Sequence, residues 1–95
     1  MTPGPTLPGN FALLQNYPNP FNPTTKISFD LPVGASVMLK VYNVLGQEIA
    51  TLADGYYAAG RHFVDFSGDR FANGIYFYSM QTGSFSDMKK MVLLK

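Results

Sequence analysis

The chain contains no cysteine, no tryptophan and a single histidine, His62. The missing thiols exclude cysteine nucleophiles, zinc–thiolate sites and disulfide frameworks together. One imidazole excludes a multi-histidine metal site within one chain. Charge is also scarce. Only 14% of the 95 residues are charged, and 7 Lys and Arg against 6 Asp and Glu leave a net charge of +1. That balance gives no broad attraction for phosphate backbones or anionic membranes, so no nucleic-acid partner is expected. No apolar run approaches the ~18 residues of a membrane span. The opening residues, Met1 to Asn10, have neither the basic cap nor the apolar centre of a signal peptide. They read as part of a longer precursor whose export begins elsewhere.

What is present is apolar and heavily punctuated. Hydrophobic residues make up 46% of the chain and aromatics 15%. A chain of this size buries about two-thirds of its unfolded surface, enough for one modest core. Residues 1–10 hold Pro3, Pro5, Pro8, Gly4 and Gly9 and read as a linker. The domain is expected over residues 11–95. It opens on a lead-in, Gln15 to Pro23, in which prolines alternate with asparagines around Tyr17 and Phe21. Each residue before a proline is pushed toward extended geometry, so the lead-in is ordered and non-helical. It reads as a lid over one end of a core or as a recognition signal, and composition favours the lid.

Strand signals follow in series. Lys26–Leu31 alternates, with Ile27, Phe29 and Leu31 on one face. Ser36–Val44 alternates again through Val37, Leu39 and Val41. Leu45-Gly46-Gln47 is a tight turn, and Glu48–Leu52 runs back as the second arm of a hairpin. Asp54-Gly55 and Gly60 bracket a predicted loop carrying Tyr56 and Tyr57. Arg61–Phe66 presents His62, Val64 and Phe66 on one face, Ile75–Gln81 follows Asn73-Gly74, and Phe85–Lys95 is the last strand. Six or seven short strands separated by Gly, Pro and Asn turns predict an all-β antiparallel sandwich.

The polar residues suggest little chemistry. The carboxylates are scattered, and Asp65 and Asp69 flank a plain glycine turn more readily than they form a calcium loop. His62 lies among aromatics as a packed residue. No Ser–His–Asp grouping and no phosphate-binding glycine loop is visible. Neither a cofactor nor an enzyme activity is expected. Tyr76 reads as core, whereas Tyr56, Tyr57 and Tyr78 are candidates for stacking on sugars. The end of the chain, Lys89-Lys90-Met91-Val92-Leu93-Leu94-Lys95, is basic at its margins and apolar between. It reads either as protection of a sheet edge or as a tag read by strand addition.

In order and spacing these blocks resemble the type A C-terminal sorting domain of the type IX, or Por, secretion system. The resemblance runs from about Leu14 to Lys95 and rests first on Asn16, Pro18, Asn19, Pro20, Phe21, Asn22 and Pro23. It continues through Val41–Glu48, through Gly60, His62, Val64 and Phe66, and through Gly74–Tyr78 to Lys90–Lys95. A tryptophan often stands in the family where this chain has Phe66. The resemblance implies an Ig-like, fibronectin-III-like sandwich of about seven strands that is a non-catalytic address. It implies an N-terminal cargo in the same precursor and transit through the periplasm to the cell surface or the medium. It further implies type IX translocon and shuttle partners, and a sortase-like C-terminal signal peptidase cutting in or near residues 1–13. Recognition is expected at Gly74, Tyr76 and the segment Lys89–Lys95, with the proline lead-in serving fold and orientation. Self-association through an edge strand is a further expectation. The alternatives are an accessory Ig-like carbohydrate-binding module using the exposed tyrosines, or a structural spacer.

Overall fold

The computed structural model describes residues 7–95, so residues 1–6 of the expected linker lie outside the described residues. Seven strands follow in order: β1 (Ala12–Leu13), β2 (Thr24–Leu31), β3 (Ala35–Tyr42), β4 (Glu48–Tyr57), β5 (Gly60–Ser67), β6 (Gly74–Thr82) and β7 (Phe85–Leu93). They form two antiparallel sheets, ordered β1-β2-β5 and β4-β3-β6-β7, packed as an Ig-like sandwich. Among the described residues there is no helix.

Period-two alternation builds the core. Side chains of a strand point to opposite faces in turn, so one face of each strand can be wholly apolar. β2 turns Ile27, Phe29 and Leu31 inward, β3 turns Val37, Leu39 and Val41, and β7 turns Met91 and Leu93. β6 settles the ambiguity of its aromatic run: Tyr76, Tyr78 and Met80 face the core, while Ile75 is exposed and Phe77 half-buried. His62 stacks on Phe29 with ring centroids 5.4 Å apart, and its Nε2 donates to the Ala58 carbonyl at 2.7 Å. It is the packed histidine the sequence suggests.

Two expectations need correction. Asp54–Tyr57 is not a loop but the second half of β4, with Gly55 opposite Val37 and Tyr57 opposite Ala35. Register shifts beside Leu39 and Val41 let the long β4 follow β3, and the turn falls instead at Ala58-Ala59. β7 ends at Leu93, short of the expected Lys95.

One polar group breaks the alternation. Asp30 is on the outward face of β2 yet buried, between Ala12 of β1 and Arg61 of β5. Arg61 answers it with Nε to Oδ1 at 2.6 Å and an Nη donor to Oδ2 at 2.9 Å. Those bonds hold the Asp30 carboxyl below its ordinary range, against a smaller opposing push from burial. A depressed carboxylate contributes stability above its unfolded pKa. That contribution is lost as pH falls through the folded value, so the pair weakens below about pH 4.

The lead-in crosses the open end of the sandwich. Phe21 is fully buried, edge-on to Phe66 with centroids 5.9 Å apart. Gly68 closes over it: a Cβ there would lie 2.7 Å from a Leu93 methyl and 3.2 Å from the Phe21 ring. Phe21→Ala is expected to lower the unfolding free energy by about 3–5 kcal/mol, because it leaves a cavity that this close packing cannot collapse. Asn22→Ala, at an exposed neighbour, is expected to stay within about 0.5 kcal/mol. Urea denaturation of the two variants tests the contrast.

Candidate functional site

The lead-in and the last strand, 60 or more residues apart in the chain, meet as one surface. β7 ends its sheet, and its outward backbone groups from Lys90 onward would be unpaired if nothing covered them. The lead-in covers them. The Phe21 N–H donates to the Val92 carbonyl at 2.9 Å, and the Leu94 N–H donates to the Phe21 carbonyl at 3.0 Å. The Val92 N–H donates to Asn19 Oδ1 at 3.0 Å, and Gln15 Nε2 donates to the Lys90 carbonyl at 2.8 Å. Phe21 and Leu93 thus form a short parallel bridge, flanked by an asparagine and a glutamine side chain acting as substitute backbone.

A second set of bonds anchors the lead-in to the core. Asn16 is buried, and its N–H donates to the Tyr78 hydroxyl at 2.8 Å. That hydroxyl donates onward to the Leu14 carbonyl at 2.7 Å. Asn16 Nδ2 donates to Thr25 Oγ1 at 3.0 Å, and Thr25 donates to the Pro18 carbonyl at 2.9 Å. Every buried polar group in the set has a partner, which a low-dielectric interior demands. Burial, the largest influence, pushes the Tyr78 hydroxyl up to about 12, opposed in part by the Asn16 N–H.

The expected recognition residues fall into two groups. Gly74, Tyr76, Met91 and Leu93 are built into the fold. Gly74 has φ of +147°, a region that favours glycine, where it opens β6 opposite Leu93. Tyr76 is buried, with its hydroxyl donating to the Ala72 carbonyl at 2.6 Å. Met91 and Leu93 have no exposed surface. Lys90, Leu94 and Lys95 are exposed, while Lys89 and Val92 are half-buried, with Lys89 3.7 Å from Asp87. Lys95 is steered by its own backbone, whose N–H donates to Asn73 Oδ1 at 2.8 Å. In the lead-in, Asn16 and Phe21 are buried, Pro18, Asn19, Pro20 and Asn22 are exposed, and Pro23 is half-buried.

Two further expectations change here. The edge of β7 from Lys90 to Leu94 is not open for strand addition, because the lead-in already occupies it. Tyr78 cannot stack on a sugar, since it is wholly buried, and Tyr57 packs edge-on to Phe29 at 5.4 Å, so that of these three tyrosines Tyr56 alone is largely exposed. Sequence reasoning missed Thr25 and Tyr78 as partners of the lead-in, and Gln15 as one of its bonds to β7. Their only sequence signal is polar character at positions that strand alternation sends inward or to an edge.

A family model described as the secretion system C-terminal sorting domain matches residues 15–94, and the chain belongs to that family. The match begins at Gln15, the first residue of the lead-in to bond β7. Comparison with curated proteins and with solved structures finds no match. Membership makes the chain a sorting signal of type IX secretion, which serves export across the outer membrane to the cell surface or the medium.

Tyr78→Phe is expected to cost about 1–3 kcal/mol at neutral pH, since it orphans both the Asn16 N–H and the Leu14 carbonyl. It also removes a titration. The folded hydroxyl ionises near 12 and an unfolded tyrosine near 10, so the neutral form is favoured in the fold. That stabilisation is complete below about pH 10 and is lost as pH rises to about 12. The stability difference between wild type and Tyr78→Phe should therefore shrink across that window, which urea melts at pH 8 and pH 11.5 would show.

Proposed function

We propose that residues 11–95 direct a cargo fused ahead of them through the type IX translocon, after the precursor has reached the periplasm on an N-terminal signal. The family match over residues 15–94 carries this reading. A sortase-like C-terminal signal peptidase then cuts upstream, and the cargo stays at the surface or enters the medium. The fold supports narrowing the cut. Leu13 is buried and paired with Phe29, so cleavage at Ala12 or Leu13 would require the sandwich to open. The cut belongs ahead of Phe11, within the Pro- and Gly-rich stretch.

The machinery reads side chains rather than a free backbone edge. The exposed Lys90, Leu94 and Lys95, with the half-buried Lys89 and Val92, form the read-out surface. Gly74, Tyr76, Met91 and Leu93 act by holding that surface in shape, as does the proline lead-in. β4 and β5, which end their sheets opposite β7 and the two-residue β1, offer edges for self-association.

The test is a transplant. The full chain is fused to the C-terminus of a periplasmic reporter in a type IX-competent host, and reporter is assayed at the surface, in the medium and in the periplasm. Deleting residues 89–95 would be a poor control, since it removes Met91 and Leu93 from the core. The triple variant Lys90→Glu, Leu94→Ser, Lys95→Glu changes exposed residues only. Surface reporter is expected with the wild-type fusion and a several-fold loss with the variant. A folded wild-type fusion held in the periplasm would refute the sorting reading. Undiminished export of the triple variant would refute only the terminal read-out.

A further inference from the structure

The Val41–Glu48 block contains residues that the fold does not need. Its polar members make one rigid turn between β3 and β4. Asn43 Oδ1 accepts from the Leu45 N–H at 2.9 Å and from the Gln47 N–H at 3.0 Å. Asn43 Nδ2 donates to Gln47 Oε1 at 2.7 Å, and the Asn43 N–H donates to the Gln47 carbonyl at 3.0 Å. Gly46 supplies the φ of +81° that the turn requires. Asn43, Gly46 and Gln47 are thereby explained, but Val44 and Leu45 are not. They stand at the tip 65% and 79% exposed, and neither belongs to the core or packs against it. A turn needs no apolar residue at its apex, and polar residues usually fill such places. Two aliphatic side chains on a preorganised turn enter a contact with little entropy left to lose.

Beside the tip lies an apolar groove of about 400 Å³, floored by Tyr42 and Phe77 and walled by Met88. It is on the outer face of the four-stranded sheet, where Phe77 is opposite Lys90 and Ile75 opposite Val92. The groove is therefore continuous with the terminal segment. Lys40 on the same face is neutralised by Glu48 at 2.7 Å, whereas Lys90 has no carboxylate within reach among the described residues. The surface thus offers an aliphatic knob, an aromatic-floored socket and one uncompensated cation in a row.

We infer that this knob and groove are a docking surface for a protein of the type IX export machinery that presents an apolar socket, a projecting apolar side chain and a carboxylate facing Lys90. The inference rests on the sorting reading and names the face that the machinery holds. The concavity decides against a lipid bilayer. A projecting side chain fills a groove, whereas a bilayer meets a knob alone and gains little from a domain of net charge +1. A contiguous exposed apolar patch around an aromatic-lined concavity marks a protein interaction site on a folded domain.

The reporter fusion again supplies the assay, with Val44→Ser/Leu45→Ser against the control Val33→Ser, an exposed valine in the β2–β3 turn away from this face. Both variants of the isolated chain should melt like wild type. Surface reporter should fall about tenfold for the double variant and stay unchanged for the control, since losing the burial of one aliphatic side chain at a contact costs about a factor of ten. Export of the double variant at the wild-type level, while the wild-type fusion is exported, would overturn the inference and leave the sorting reading intact. A photo-cross-linking phenylalanine at position 45 should form an adduct with an outer-membrane component of the export system, identified by mass spectrometry. An adduct with a second copy of the fusion would overturn the inference. So would sedimentation of the isolated chain with vesicles of phosphatidylethanolamine and phosphatidylglycerol (3:1) that is abolished by Leu45→Ser.

Discussion

The backbone of Phe21 gives one hydrogen bond to β7 and receives another, while its ring fills the space between the two sheets. That single residue does three things that must coincide. It seals the end of the core against Phe66 and Leu93. It satisfies the Val92 carbonyl and the Leu94 N–H, which would otherwise be part of an adhesive edge. It also fixes the path of the lead-in, so that Asn16 reaches Tyr78 and Thr25. The prolines on either side contribute by restriction. They remove donors and hold extended geometry, so the segment crosses the sheet end without becoming a strand that must itself be paired.

This arrangement divides the work of the terminal segment by parity. Met91 and Leu93 face the core, and Lys90, Val92 and Leu94 alternate with them on the other side. A pattern that reads in sequence as one tag is therefore two interleaved sets, one folded inward and one displayed. The same division runs through the β3–β4 turn, where Asn43, Gly46 and Gln47 shape the backbone and Val44 and Leu45 are shown to solvent. In both places the residues that set the shape are separate from those displayed to solvent. Substitutions of the two kinds then have different signatures, the first in stability and, on the proposed reading, the second in export.

Much of the sandwich was legible in the sequence because period-two alternation is a local signal. Ile27, Phe29 and Leu31, and Val37, Leu39 and Val41, declare their inward face within six residues. The aromatic run Tyr76-Phe77-Tyr78 does not, since both faces are apolar, and only the packing of Met80 and Tyr78 together settles it. Asp54-Gly55 reads as a turn by local chemistry. In the fold it continues an edge strand, because pairing with Val37 and Met38 outweighs local preference. The Asp30–Arg61 pair and the cover of β7 were illegible for another reason. They join residues 31 and 71 to 75 positions apart, and no local pattern encodes a bond between the Val92 N–H and Asn19. Thus the lead-in could be recognised as ordered, but the edge it occupies could not be foreseen.

The length of those connections has a consequence for synthesis. A chain emerging from the ribosome cannot place Phe21 until Val92 and Leu94 have been made, so the earliest residues of the domain wait for the latest. Long-range closure of this kind is slow, and it rewards no partial product. A chain that ends before β7 has no seal for its core and no displayed terminal surface. The folded domain therefore reports that translation has run at least through residue 94.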